Sequence, residues 1–369
     1  VSSSPPAPAA RPRRRARRLL FGGVAIALTL VGSLVALEVG LRLFWGGFYL
    51  KPTGEHNRHS PTREWENTPS YRGTFEDPEF VMQITHDSHG FRGPEVPAEK
   101  PPGRTRVLVL GDSMTYGIGV DDDETFSARL GALDPRLEVV NAGVNGYGTH
   151  QELLLLQEVG LPLRPDVVVV CVFFNDIGNS YHRREIGYSL RDGVLVYEPS
   201  PALATPKRRR APGPLRHSYA YRLLSDRLRA LKYGLRQAAG ARDAQEDLLN
   251  NDMSEPAWAL HLALLDELVR VATAGGAKVL VVALPESAEI VPESHVAGLP
   301  AEVRIYPRLA AWGAARAVPV LDLAPALREA AARGQGGLFY PIDRHLVPEG
   351  HAAIAPVLAK ALVDLGWVR

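Results

Sequence analysis

The chain has 369 residues, 46% hydrophobic and 22% charged, proportions that exclude a wholly disordered polypeptide. Forty-two lysines and arginines against 41 acids leave a formal net charge of +1, which excludes a global electrostatic pull toward nucleic acid or an acidic partner. A single cysteine, Cys171, excludes an internal disulfide and a cysteine-rich metal site, and its position inside an apolar run reads as a buried structural thiol.

Residues 1–10 are mostly serine, proline and alanine without periodicity, and Arg11, Arg13, Arg14, Arg15, Arg17 and Arg18 follow. Together residues 1–18 read as a disordered, basic cytoplasmic tail. Leu19 to Leu37 is free of charge, and residues 19–41 are expected to form one transmembrane helix. The arginines ahead of it place the N-terminus in the cytoplasm and the bulk of the chain outside the cytoplasmic membrane, as a single-pass protein. Trp45, Phe48 and Tyr49 fit an interfacial aromatic belt. A cleaved signal peptide is the competing reading; the apolar run is long for one, and no Ala-x-Ala site follows it. Residues 42–83 are polar and read as a juxtamembrane linker, with His56 and His59 as solvated linker residues.

From residue 84 to the end the pattern is that of one α/β domain. Arg106–Leu110, Leu137–Val140, Asp166–Val172, Ala277–Leu284 and Val318–Leu321 are short apolar runs that predict five strands. Between them, 125–133, 150–160, 257–273, 305–315, 323–332 and 351–365 carry helical spacing. Strand–helix alternation, with a polar cluster after every strand, predicts a three-layer α/β/α fold around a five-stranded parallel sheet. Residues 181–256 break the alternation and read as an insertion over the C-terminal edge of the sheet, with a helix at 218–235 and a basic loop at Lys207–Arg210.

Ligands of an open parallel sheet gather at the C-terminal ends of its strands. There the sequence collects the parts that acyl transfer requires: a nucleophile, a general base, an orienting acid and oxyanion donors. Ser113 follows the first strand in RVLVLGDSMTYGIG and is the candidate nucleophile. His345, in the loop before the last helix, is the candidate base. Asp343, two residues earlier, is the candidate acid, with Asp322 as an alternative. Gly143, the side-chain amide of Asn175 and the backbone N–H of Ser113 are the candidate oxyanion donors.

Four blocks resemble the SGNH hydrolases, also called GDSL-type esterases and lipases: GDSM at 111–114, NAGVNGYG at 141–148, FFND at 173–176 and DRHLVPEGH at 343–351. HGFRG at 89–93 is similar to the lead-in of membrane-tethered bacterial members. The resemblance implies an SGNH/flavodoxin-like fold, the catalytic set Ser113, Asp343 and His345, and the oxyanion set Ser113, Gly143 and Asn175. It implies neither cofactor nor metal. Two positions depart from the family pattern. Phe173 stands where a glycine is usual two residues before the asparagine. Ile342 stands where the aspartate is usual three residues before the histidine, and Asp343 lies one residue closer. The expected function is a serine esterase acting on an acylated small molecule or polysaccharide, including O-acetyl groups of envelope glycans. A polysaccharide O-acyltransferase using the same residues, and a non-catalytic glycan-binding or assembly protein, are the alternatives.

Overall fold

The computed structural model describes residues 12–44, 56–77, 79–183, 186–205, 218, 220–221, 253–290, 304–334, 337–341 and 343–368. Trp45, Phe48 and Tyr49, the basic loop 207–210, nearly all of the expected helix at 218–235 and most of the loop 288–304 lie outside the described residues. The chain divides into two units, one made of residues 1–50 and 208–239 and one of residues 51–207 and 240–369.

In the first unit, α1 (Pro12–Phe44) is a single helix of 33 residues. Its segment Leu20–Leu43, 24 residues with mean hydropathy 2.3, is long and apolar enough to cross a membrane. At 1.5 Å per residue it spans about 36 Å, slightly more than a bilayer's hydrocarbon core.

The second unit is built on a parallel sheet in the order β11–β10–β7–β5–β6, with β5 (Thr105–Gly111), β6 (Leu137–Gly143), β7 (Val167–Val172), β10 (Lys278–Ala283) and β11 (Val320–Asp322). The five-stranded parallel sheet is the one expected. β5 and β7 are buried along their whole length, as strands covered by helices on both faces must be. Side chains alternate between the two layers. Leu108, Leu110, Val168 and Val170 pack with Leu153 of α4 (Thr149–Leu155), Trp258 and Leu264 of α6 (Glu255–Ala274) and Trp312 of α8 (Tyr306–Arg316). Val107, Val109, Val169 and Cys171 pack on the other side with Phe126 and Leu130 of α3 (Phe126–Leu133), Leu327 of α9 (Ala324–Ala332) and Leu358 of α10 (Pro348–Asp364). Cys171 is a buried free thiol.

The sequence departs from expectation in two places. Residues 56–83, read as linker, carry two antiparallel hairpins: β1 (Asn57–Ser60) with β2 (Glu64–Asn67), and β3 (Arg72–Glu76) with β4 (Val81–Thr85). Their side chains are mostly half-buried, yet Met82 and Ile84 are buried against Tyr116 and Ile118, which ties the segment to the domain. Within 181–256, β8 (Tyr188–Arg191) and β9 (Val194–Tyr197) form a third hairpin. Its turn, Asp192–Gly193, has positive φ at both residues (51° and 77°), the type I′ geometry that matches strand twist.

Candidate active site

β5 ends at Gly111, where a Cβ would lie 2.1 Å from Thr115 Oγ1 and 3.1 Å from the Cys171 carbonyl. Only glycine lets the chain double back this tightly into α2 (Ser113–Tyr116). Asp112 caps that helix: its carboxylate accepts from the Met114 N–H at 2.9 Å. Ser113 is the first helical residue, and its own N–H has no acceptor among the described residues. At 7% exposure its hydroxyl lies in a largely enclosed position.

The loop ahead of α10 brings the other two groups. His345 Nε2 lies 2.7 Å from Ser113 Oγ, and His345 Nδ1 lies 2.5 Å from Asp343 Oδ1. An ionised carboxylate only accepts, so Nδ1 carries the ring proton and Nε2 is left to accept from the serine. Burial favours the neutral form of Asp343, but the hydrogen bond from His345 and the histidine's charge outweigh it and hold the carboxyl below its ordinary value of 3.8. Asp112 Oδ2 lies 3.5 Å from Ser113 Oγ, far longer than the histidine contact, so the hydroxyl proton faces the imidazole. Asp322, the alternative acid, instead accepts from the Ala324 N–H at 2.9 Å, capping the helix that follows β11.

Asn175 is the second residue of α5 (Phe174–His182), beside Asp112. Burial raises the Asp112 carboxyl; the Met114 N–H, His345 and the Asn175 amide pull it back down. Phe173, the residue standing in for glycine, packs edge-on against Phe174 with ring centroids 4.6 Å apart.

Gly143 does not sit as the sequence suggests. Its N–H donates to Asn141 Oδ1 at 3.0 Å, so it is not free for an oxyanion. What requires glycine here is close packing: a Cβ would meet the Tyr116 nitrogen at 2.3 Å and the Thr115 carbonyl carbon at 2.7 Å, the backbone of the nucleophile's own helix. Gly146, in the same turn, has φ +76° and an N–H without an acceptor among the described residues.

Behind the nucleophile lie three fully buried acids, Asp112, Glu152 and Asp176, whose carboxyls are all pushed up by burial. Among the described residues, Asp87, His89 and Glu95 bring ligand-type atoms within 4.8 Å of one another. These groups already organise their own turn. Asp87 accepts from the Phe91 and His89 N–H groups, and Glu95 accepts from the Ser88 N–H.

Solved structures similar to this chain include an acetyl xylan esterase (14% identity, TM-score 0.40, covering 70% of this chain and 99% of that one). Another is a member of the lipolytic protein G-D-S-L family from Veillonella parvula (15% identity, TM-score 0.39, covering 70% and 98%). A GDSL-like lipase from Bacteroides thetaiotaomicron matches at 12% identity and TM-score 0.37, covering 71% and 89%. No curated protein sequence matches the chain. Residues 109–353, more than half of the sequence, match the GDSL-like lipase/acylhydrolase family. The protein belongs to that family and is a serine hydrolase of carboxylic esters.

Proposed function

We propose that the protein is a membrane-anchored esterase that removes short acyl groups, such as the O-acetyl groups of envelope glycans, outside the cytoplasmic membrane. The observation that carries the reading is the unbroken relay from Ser113 through His345 to Asp343, at 2.7 Å and 2.5 Å. Ser113 Oγ attacks the acyl carbonyl while His345 Nε2 takes its proton, and Asp343 steadies the imidazolium. The tetrahedral oxyanion is received by the Ser113 N–H and the Asn175 amide. His345 then protonates the departing alkoxide, and water activated by the same imidazole releases the carboxylic acid.

Two features support the finer reading. Phe173, half-buried, stands two residues before Asn175 where a glycine is usual in the family, and its bulk favours a small acyl group. The apolar segment Leu20–Leu43 with arginines ahead of it favours a retained anchor whose N-terminus is cytoplasmic.

The test labels membranes carrying wild type or Ser113→Ala with a fluorophosphonate, then compares acetyl with longer acyl esters, with and without the host polysaccharide. Labelling lost in S113A and a preference for acetyl support the reading. Equal labelling of both proteins sinks the serine mechanism. Acyl release that requires the polysaccharide as acceptor moves the assignment from hydrolysis to transfer.

A further inference from the structure

We infer that Arg92 is a positioning residue for the nucleophile: its buried guanidinium holds the C-terminal end of the short helix that begins with Ser113. The inference rests on the esterase reading above. Arg92 belongs to the segment ahead of β5, outside the residues 109–353 that match the family.

A helix of four residues cannot stabilise itself by its own hydrogen bonds, and its last carbonyls are left without internal partners. Two side chains meet them here. Asn141 Nδ2 donates to the Thr115 carbonyl at 3.0 Å. Arg92 Nη1 donates to the Tyr116 carbonyl at 2.8 Å and also to the Gly117 carbonyl. The same guanidinium reaches onward: Nη2 donates to the carbonyls of Val120 at 2.5 Å and Gln83 at 3.2 Å, and Nε donates to Asp122 Oδ1 at 2.9 Å. The carbon at its centre sits 4.8 Å from the centroid of the Tyr116 ring.

A cation this deeply buried is costly unless its donors are met, and the Arg92 side chain is 0% exposed. Its five N–H donors diverge from one rigid plane, which is how a single side chain grips carbonyls at 83, 116, 117 and 120 together. The backbone of Arg92 is fixed in turn, because its N–H donates to the Asn141 carbonyl at 3.0 Å. Arg92 and Asn141 thus form one clamp on the far end of α2. Ser113 is at the near end, roughly 5 Å away along the helix. Any tilt of α2 changes the Ser113 Oγ to His345 Nε2 distance, because the histidine comes from a separate loop.

The test uses full-length Arg92→Lys, Arg92→Ala and Asp122→Asn, each checked for folding by circular dichroism and thermal melting. Readouts are kcat and KM on a short acyl ester and the rate of fluorophosphonate labelling per titratable serine. A lysine keeps the charge but not the fork. For R92K, kcat and the labelling rate are expected to fall together by about tenfold with KM nearly unchanged; for R92A the loss is on the order of a hundredfold, the cost of roughly an ångström of misplacement. Millimolar ethylguanidinium restores part of the R92A rate. D122N, which loosens the guanidinium without removing it, lowers the labelling rate a few-fold. Wild-type labelling by folded R92K overturns the inference, as does an R92A loss explained wholly by fewer titratable serines at an unchanged rate per serine. If neither Arg92 variant folds, wild-type behaviour of D122N overturns it. Failure of wild type itself to label more than S113A strikes the esterase reading instead.

Discussion

Glu152→Gln makes the protein more stable, and the gain grows with pH. Glu152 lies in α4, wholly buried, and neither carboxyl oxygen has a hydrogen-bond partner among the described residues. Burial, and after it the charge of Asp112, push its carboxyl well above the ordinary 4.5. The sign follows from linkage. A carboxyl whose folded pKa exceeds its unfolded one binds its proton more tightly in the native state. Its contribution is therefore full below pH 4.5 and is lost as pH rises toward the folded value. The loss is about 1.4 kcal/mol for each pH unit in that interval. Glutamine has the shape of the neutral acid and cannot ionise, so E152Q escapes the loss. Near pH 4.5 the two proteins should differ little; above it their stabilities diverge by up to about 1.4 kcal/mol per unit, or roughly 2–4 °C in melting temperature per kcal/mol for a domain of this size. Thermal melts of wild type and E152Q, from about pH 4.5 to 8, give the slope. Parallel curves, offset by a constant or not at all, would refute the claim that burial raises the Glu152 carboxyl.

Other consequences are as specific. Asn175→Ala should lower kcat by about 10²–10³-fold with little change in KM, the cost of one oxyanion donor; an unchanged kcat removes Asn175 from the site. Gly143→Ala places a Cβ 2.3 Å from the Tyr116 nitrogen, and should destabilise the fold by about 1–3 kcal/mol in urea unfolding while slowing fluorophosphonate labelling. Burial holds His150, His261 and His351 at about 3 and His86 at about 4, against an ordinary 6.5. Their folded values lie below the unfolded one, so stability is lost as pH falls from 6.5, by about 1.4 kcal/mol per unit for each fully buried ring. Melting temperatures should drop steeply toward about pH 5, and His261→Asn should flatten the slope. The Asp343 carboxylate sets a lower limit in the same titration: its depressed pKa keeps the His345 hydrogen bond until pH falls below 3.8.

The sheet was legible because its central strands are buried on both faces, which leaves them as uninterrupted runs such as VVVVCV at 167–172. The site was legible for a related reason: Ser113 and Asn175 sit at strand ends, where a parallel sheet gathers its chemistry. The hairpin of β1 and β2 was not, because its short strands NRHS and EWEN are polar and mostly half-buried and carry no apolar alternation; β4 does alternate, with Met82 and Ile84 inward, but over only five residues. The Asp192–Gly193 hairpin had its turn signal in the sequence, but lay in a stretch whose polar character suggested only an insertion. Gly143 shows a different limit. A glycine after a strand suits an exposed N–H and a close packing contact equally, and only the position of the Asn141 side chain decides between them. Arg92 shows the same limit more sharply, since its partners are mostly backbone carbonyls, which no sequence pattern marks.

The shortened spacing between acid and base is explained by how their loop is held. With one residue between them, Asp343 and His345 can face each other only if the chain turns back at Arg344, and Arg344 has φ +70°, the left-handed conformation that a side chain resists. Such a conformation persists where the surroundings over-determine it. Here the Arg344 N–H donates to the Tyr340 carbonyl at 3.0 Å, and the Tyr340 N–H to the His345 carbonyl at 2.9 Å, closing the turn on itself. Tyr340 Oη donates to the Gly119 carbonyl at 2.7 Å, which ties the turn to the segment following the nucleophile helix. The Asp343 N–H donates to Glu79 at 2.6 Å, and the Arg344 guanidinium lies 3.7 Å from Glu286 at the end of β10. Three anchors from separate parts of the chain, Gly119, Glu79 and Glu286, therefore converge on the turn that carries the acid and the base. One of them, Glu79, lies ahead of the family match, as does Arg92, which holds the nucleophile's helix rather than this turn. The hairpin of β3 and β4 thereby holds one edge of the acid–base turn, through Glu79 in the connection between its strands.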